Sequence, residues 1–297
     1  MYPGEHARHR PDQPALIMAT SGEQLTFGEY EANCNRLAHL LRAAGLRRGD
    51  HVAMFLENHL RYAELQGAAE RTGLYFTCIN SYLTAEEVAY IVDNCEARVF
   101  VTSVARADVA VEAAAATPRV EVHLCVDADR EIGPFQPYDA AIAAYPAEPI
   151  PDEQLGAAML YSSGTTGRPK GILRPLPDAH PSEGLALMGF VKQMFRFREG
   201  MVYLSPAPLY HSAPQASISA TMRLGGTTVI MEKFDPEQFL ALVERHRITH
   251  SQVVPTMFSR LLKLPAEVRE RYDLSSLETV IHAAAPCPVQ VKRDMIG

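Results

Sequence analysis

Apolar residues recur along this chain in two alternating kinds of block: short continuous runs of strand length, and longer stretches at helical spacing. Thr26 and Glu29 make a T-x-x-E capping box, after which Cys34, Leu37, Leu41 and Ala44 repeat at helical intervals up to Gly45. That period buries one stripe of a helix, and a glycine just beyond it suits a left-handed C-cap. HVAMFLEN (51–58) and LYFTCIN (74–80) flank a helical stretch through Gln66 and Ala69. A second capping box, Thr84 with Glu87, opens a helix ending near Asn94, and RVFVTS (98–103), an alanine-rich helix over 105–116 and VEVHLCV (120–126) follow. Strands alternating with helices imply a parallel sheet covered on both faces. The expected fold class is therefore α/β, with parallel-sheet subdomains layered with helices in the order αβαβα.

Between Gly133 and Pro151 the chain carries five prolines and no sustained period, which reads as a surface connection. It sets the expected division into an N-terminal βα subdomain, 1–150, and a second subdomain, 151–297. Beyond it come AAMLY (157–161), a Gly/Ser/Thr loop, a helix around 182–198 and MVYLS (201–205). Asp235, Pro236 and Gln238 supply an N-cap, an N1 proline and an N3 glutamine for a helix to about Arg247. HSQVV (250–254), a helix after Pro255 and the strand TVIHAA (279–284) complete the pattern.

Composition narrows the class of protein. Hydrophobic residues at 47% and charged residues at 21% are ordinary globular usage. Lys and Arg number 28 against 35 Asp and Glu, a net charge of −7, so there is no overall positive field for a nucleic acid or an anionic membrane. The cysteines Cys34, Cys78, Cys95, Cys125 and Cys287 are odd in number and lack CxxC or zinc-finger spacing, which reads as free thiols in a reducing cytosol. The N-terminal MYPGEHARHRPDQPAL has no signal-peptide pattern, and no run approaches the ~18 apolar residues of a membrane span. A cytoplasmic location is expected.

The stretch that carries chemistry is YSSGTTGRPKG, residues 161–171. Gly164 and Gly167 let backbone approach a ligand closely, the hydroxyls of Ser162, Ser163, Thr165 and Thr166 can donate to phosphate oxygens, and Lys170 adds a full positive charge. The loop follows an apolar strand, and ligands bind at the carboxyl ends of parallel strands. It is not a Walker loop: five residues past Gly164 stands Pro169, and Gly171 stands where a Ser or Thr should hold magnesium. GxGxxG is absent as well. A distinct polyphosphate loop is what these residues suit.

SSGTTGRPKG satisfies every position of [ST]-[SG]-G-[ST]-[ST]-G-x-P-K-G, and in this the chain resembles the adenylate-forming superfamily: acyl-CoA synthetases, aryl-CoA ligases, luciferases and peptide-synthetase adenylation domains. PLYHSAP (208–214) resembles the aromatic-His motif of that family and IHAAAPCP (281–288) its adenine-binding turn, in the expected order. The style of VVPTMFSRLLKLP and IHAAAPCPVQVK is most similar to bacterial fatty-acyl-CoA ligases. The resemblance implies an AMP-forming acyl-CoA ligase. A carboxylate attacks the α-phosphate of ATP to give acyl-AMP and pyrophosphate, and the thiol of CoA then displaces AMP, with Mg2+ neutralising charge.

By the same resemblance, Ser162, Ser163, Gly164, Thr165, Thr166, Gly167 and Lys170 would grip the β- and γ-phosphates, Thr166 and Lys170 taking part in catalysis. His211 would stand beside the α-phosphate and the acyl carboxylate. Ala284, Ala285 and Pro286 would form a flat slot for adenine, with Ala283 where most members have glycine. Leu, Met and Phe over 184–197 could wall an acyl tunnel or simply pack a core. A fatty or other lipid acid is the expected substrate, at the level of family alone. Direct protein ligands to a metal are not expected.

Family members continue past the position matching Gly297, through a magnesium-holding Glu, a ribose-binding Asp and a small C-terminal lid domain. The expectation is thus an N-terminal ATP- and acyl-binding part with little turnover alone, and self-association through the TVIHAA edge. Two other readings stay open. One is a non-catalytic or vestigial nucleotide-binding protein of the same fold, binding ATP without forming adenylate; the other is an unrelated phosphotransferase, which would produce ADP.

Overall fold

The computed structural model describes residues 2–162, 168–183 and 185–296, the side chains of Ser162, Ala186 and Leu187 excepted. The chain forms two compact units, one of Met1–Phe27, Gly184–Pro208 and Ala213–Gly297, the other of Gly28–Glu183 with Leu209–Ser212. The units do not divide at residue 150. Pro14–Met18 is the reason: this strand pairs in parallel with Thr227–Ile230, which commits the N-terminus to the same sheet as the C-terminal half.

In the unit built on Gly28–Glu183, the described residues form a parallel sheet in the spatial order Gln136–Pro137, Val122–Val126, Ala97–Ser103, His51–Phe55, Tyr75–Cys78, Ala157–Ala158. Its interior strands are apolar on both faces, as parallel strands sandwiched by helices must be. From His51–Phe55 the chain first adds Tyr75–Cys78 on one side and then Ala97–Ser103 on the other. The carboxyl ends of His51–Phe55 and Ala97–Ser103 therefore meet at a switch point of the topology, where loops diverge and a crevice can open. Val88 and Val92 of the helix Ala85–Asn94, and Ala110 and Ala113 of Ala107–Ala114, join Phe55 and Phe100 in one buried cluster.

The local signals read from sequence have physical counterparts here. The helix Phe27–Ala43 ends where Gly45 takes φ +81°, with Gly45 N–H donating to Arg42 O and Leu46 N–H to Leu41 O, both at 3.0 Å, a paired closure of the last turn. Glu87 accepts from Thr84 N–H at 2.9 Å and from its hydroxyl at 2.8 Å, capping Ala85–Asn94. The alanine-rich stretch is a 3-10 turn, Val104–Arg106, followed by the helix Ala107–Ala114.

Residues 133–151 are not merely a surface connection. Gln136–Pro137 adds an edge strand, Tyr138–Ala143 is a helix, and Phe135, Tyr138 and Ile142 are buried. Tyr138 is drawn in because its hydroxyl donates at 3.1 Å to Glu64, a carboxylate with no exposed surface that also receives Arg61 and Asn33. A buried carboxylate needs such donors to offset lost hydration.

The other unit carries a sheet in the order Thr279–His282, His250–Val253, Val202–Ser205, Thr227–Ile230, Pro14–Met18, Gln24–Thr26, parallel except for its last pair. Asp235 accepts from Gln238 N–H at 2.9 Å and starts the helix Pro236–His246. The helix expected over 182–198 spans only Ala186–Phe195. Val191, with Phe197, packs onto Met201, Tyr203, Ala220 and Leu224, while Phe190 and Met194 are exposed. The described part of that stripe thus packs a core on one side. No helix among the described residues is long and apolar enough to cross a membrane.

Candidate functional site

The segment AAMLY divides in two. Ala157–Ala158 extends the parallel sheet beside Tyr75–Cys78, whereas Leu160–Ser162 pairs antiparallel with Lys170–Ile172. The strand that enters the Gly/Ser/Thr loop is therefore one arm of a hairpin rather than a strand of the parallel sheet. Register sets Lys170 opposite Ser162 and Gly171 opposite Tyr161. Ser163, Gly164, Thr165, Thr166 and Gly167, with the Ser162 side chain, lie outside the described residues.

The frame of that loop is tied down at both arms. Tyr161 donates its hydroxyl to Asn94 Oδ1 at 2.6 Å, and Tyr90 donates to the Pro169 carbonyl at 3.1 Å. The Arg168 guanidinium lies 5.0 Å from the Tyr90 ring centre and 3.8 Å from Glu86. Asn94, Tyr90 and Glu86 are spaced by four along one face of Ala85–Asn94, so a single helix side holds the loop's base. Lys170 is exposed and has no ion-pair partner among the described residues. At Gly171 a Cβ would run into Met159 Cε and come within 3.1 to 3.2 Å of the Tyr161 ring and hydroxyl. The glycine of the Pro-Lys-Gly end thus packs closely against Met159 and Tyr161.

Tyr161 and Pro169 form part of a cleft of about 230 Å³. Cys78, Ile79 and Asn80 enter it from the carboxyl end of Tyr75–Cys78, Leu83 and Ile91 from the turn and helix that follow, and Tyr210 and His211 from the segment Leu209–Ser212. His211 and the arms of the 161–171 loop thus meet at one cavity within one unit. His211 is exposed at the surface, yet loss of hydration on its inner side lowers its imidazole pKa below the ordinary value, so the neutral ring is favoured near neutral pH. Burial raises the phenols of Tyr161 and Tyr210, keeping both protonated as donors.

Two residues that sequence reading missed help build this cleft. Asn58 Oδ1 accepts from Leu209 N–H at 2.8 Å, and Asn94 fixes Tyr161. Tyr82, beside the cleft residue Leu83, is 74% exposed with Arg106 5.7 Å from its ring centre. Ala284, Ala285 and Pro286 belong to the other unit, exposed in the turn after Thr279–His282, with Ala284 in the left-handed region at φ +72°. All five cysteines are free thiols; Cys34, Cys95 and Cys125 are buried.

A family model described as AMP-binding enzyme matches residues 4–296. The chain belongs to this family of AMP-binding enzymes. It is 31% identical to 4-coumarate--CoA ligase 5 of Oryza sativa subsp. japonica, over 96% of this chain and 52% of that protein. It is also 29% identical to the fatty acid--[acyl-carrier-protein] ligase ScoC of Streptomyces coeruleorubidus, over 95% and 52%. The chain thus spans about half the length of these curated relatives. Among solved structures, the N-terminal domain of FACL13 from Mycobacterium tuberculosis superposes with a TM-score of 0.83 at 23% identity, covering 99% of this AMP-binding chain and 71% of that one. The α/β fold with helix-layered parallel sheets is accordingly that of acyl-CoA synthetase N-terminal domains.

Proposed function

We propose that this chain carries the ATP- and acid-binding part of an AMP-forming acid–CoA ligase. The carboxylate oxygen attacks the α-phosphorus of ATP, the bond to the β,γ-diphosphate breaks, and acyl-AMP and pyrophosphate result. The CoA thiol then displaces AMP. Two anions must meet in the first step, so the work asked of the protein is to supply donors where charge develops. Lys170 and the hydroxyls of 162–166 would hold the β- and γ-phosphates, and neutral His211 would donate to the carboxylate or the α-phosphate. Ala284, Ala285 and Pro286 would carry the adenine.

Mg2+, when bound, would neutralise phosphate charge. Among the described residues no group of three or more His, Cys, Asp and Glu is poised to hold a metal. Mg2+ commonly binds through substrate phosphate oxygens and retained waters. The observation that carries the proposal is the meeting of His211 with the arms of the 161–171 loop at one cleft.

For the acid we assign an apolar lipid-type carboxylate, supported by Ile79, Leu83 and Ile91 in the cleft wall and by the fatty-acid relative. An aromatic acid is the second reading, favoured by Tyr161 and Tyr210 in that wall and by the 4-coumarate ligase relative. The free thiols fit a reducing compartment, and we assign the reaction to the cytoplasm.

The test is calorimetric titration of the chain with non-hydrolysable acyl-sulfamoyl adenosines bearing a palmitoyl or a coumaroyl group. Tight binding of one, with AMP at least tenfold weaker, is the expected result. ATP titrated into Lys170→Ala should bind about 12- to 150-fold more weakly than into the wild type, since a charge-assisted contact contributes about 1.5 to 3 kcal/mol. A folded chain that binds neither analogue, or that turns ATP into ADP, would overturn the reading.

A further inference from the structure

We propose that Asn58 is the positioning residue that fixes where His211 stands, acting through the backbone of Leu209. The inference rests on the role given to His211 above. Residues Leu209–Ser212 belong to one unit although the chain on either side of them belongs to the other. What the backbone of so short a segment bonds to helps to fix its place. Leu209 is 2% exposed, and its N–H donates to Asn58 Oδ1 at 2.8 Å across 151 residues of sequence. A buried N–H must find an acceptor, and the short amide side chain provides one at a fixed reach. Tyr210 and His211 follow directly, their rings 4.4 Å apart, and both line the cleft.

Asn58 is itself held stiffly. It stands just past the strand His51–Phe55, an interior strand of the sheet, at the topological switch point. Its neighbour His59 accepts from Arg61 N–H at Nδ1, 3.1 Å, and meets Asp127 Oδ2 through Nε2 at 3.3 Å. Arg61 in turn pairs with Glu64 at 2.7 Å and Asp139 at 2.9 Å. On its other side Glu57 accepts from the Ser103 hydroxyl at 2.7 Å, so the loop is pinned on both sides of Asn58, a residue 8% exposed, whose amide passes that rigidity on to the Leu209 peptide. A reacting group displaced by about 1 Å can lose on the order of 100-fold in rate, which is why a remote acceptor matters.

The test follows Leu209 amide exchange and the His211 imidazole by NMR on the 297-residue chain, in the wild type, Asn58→Asp and Asn58→Ala. Cys78, Tyr161 and Tyr210 line the cleft beside the ring, and burial raises both phenols, so neither tyrosine ionises in the range where His211 titrates. The wild-type Leu209 amide should be protected like an amide of His51–Phe55, and Asn58→Asp, which keeps an acceptor, should preserve that protection. In Asn58→Ala protection should fall at least tenfold and the His211 protonation midpoint should move up towards 6.5 as the ring gains water.

A wild-type Leu209 amide that exchanges like an open loop would overturn the proposal. So would a folded Asn58→Ala with unchanged exchange and midpoint. Should Asn58→Ala not fold, the wild type and Asn58→Asp decide the matter alone. Failure of the adenylate analogues to bind, with these NMR results intact, would count against the acid-activating reading and not against the role of Asn58.

Discussion

The Tyr90 hydroxyl donates to the Pro169 carbonyl at 3.1 Å, joining residues 79 apart in sequence at the base of the 161–171 loop. Tyr90→Phe keeps the ring beside Arg168 and deletes only this bond. The loss should be about 0.5 to 1.5 kcal/mol, or about 2- to 12-fold in ATP affinity by calorimetry, if the bond serves the loop. Equal ATP binding by variant and wild type would show that the loop's base does not need it.

Gly171→Ala introduces a methyl against Met159 and Tyr161. Because the Met159 contact is the flexible end of its side chain, the cost in urea unfolding should sit near the low end of the usual ~1 to 3 kcal/mol for overpacking. Tyr161 forms a cleft wall, so binding of an acyl-sulfamoyl adenosine should suffer more than stability does. A variant that loses stability while keeping full affinity would contradict this link between the motif glycine and the cleft.

Histidines set a pH window for stability. His51, His123, His211, His246 and His250 are all held below the ordinary imidazole pKa, loss of hydration being the first cause in each. The unfolded chain protonates them first as pH falls, so their contribution is complete above about 6.5 and is lost as pH drops through the lower folded values. Urea midpoints should be level between about pH 7 and 8 and decline below about 6.5. His123→Gln removes one such group and should flatten that decline; a midpoint rising on acidification through this window would refute it.

Ala284 adopts φ +72° in the turn after Thr279–His282, a region that costs an L side chain about 1 to 2 kcal/mol. Ala284→Gly removes that strain but adds freedom to the unfolded chain, leaving an expected net gain of up to about 1 kcal/mol in denaturant unfolding. Ala285→Gly, at a position without positive φ, should be neutral or destabilising. The reverse order of these two variants would rule out backbone strain at Ala284.

What could be read from the residues in advance was what neighbouring residues decide among themselves. Thr84 with Glu87, Asp235 with Gln238, and Gly45 each act within one helical turn, and each helix end forms where its cap stands. The family motif from Ser162 to Gly171 is contiguous, so it was legible in the sequence, whereas the antiparallel pairing of Leu160–Ser162 with Lys170–Ile172 was not. Pro14–Met18 carries no such signal, because five residues opening on proline show no period and the strand gains its parallel partner only from Thr227–Ile230. Tyr138 looked like part of a proline-rich connection because the carboxylate that buries it, Glu64, lies 74 residues away. Asn58 carries no local signal at all, since its meaning comes from an N–H 151 residues further on.

The pairing of Pro14–Met18 with Thr227–Ile230 also dictates an order of assembly on the ribosome. The sheet from His51–Phe55 to Ala157–Ala158 is encoded without interruption and can close as soon as its residues emerge. Pro14–Met18 can pair early with Gln24–Thr26, but it must wait for its parallel partner until more than two hundred further residues have been translated. Leu16 and Met18, both buried in the finished protein, keep one side of their strand open to solvent during that interval.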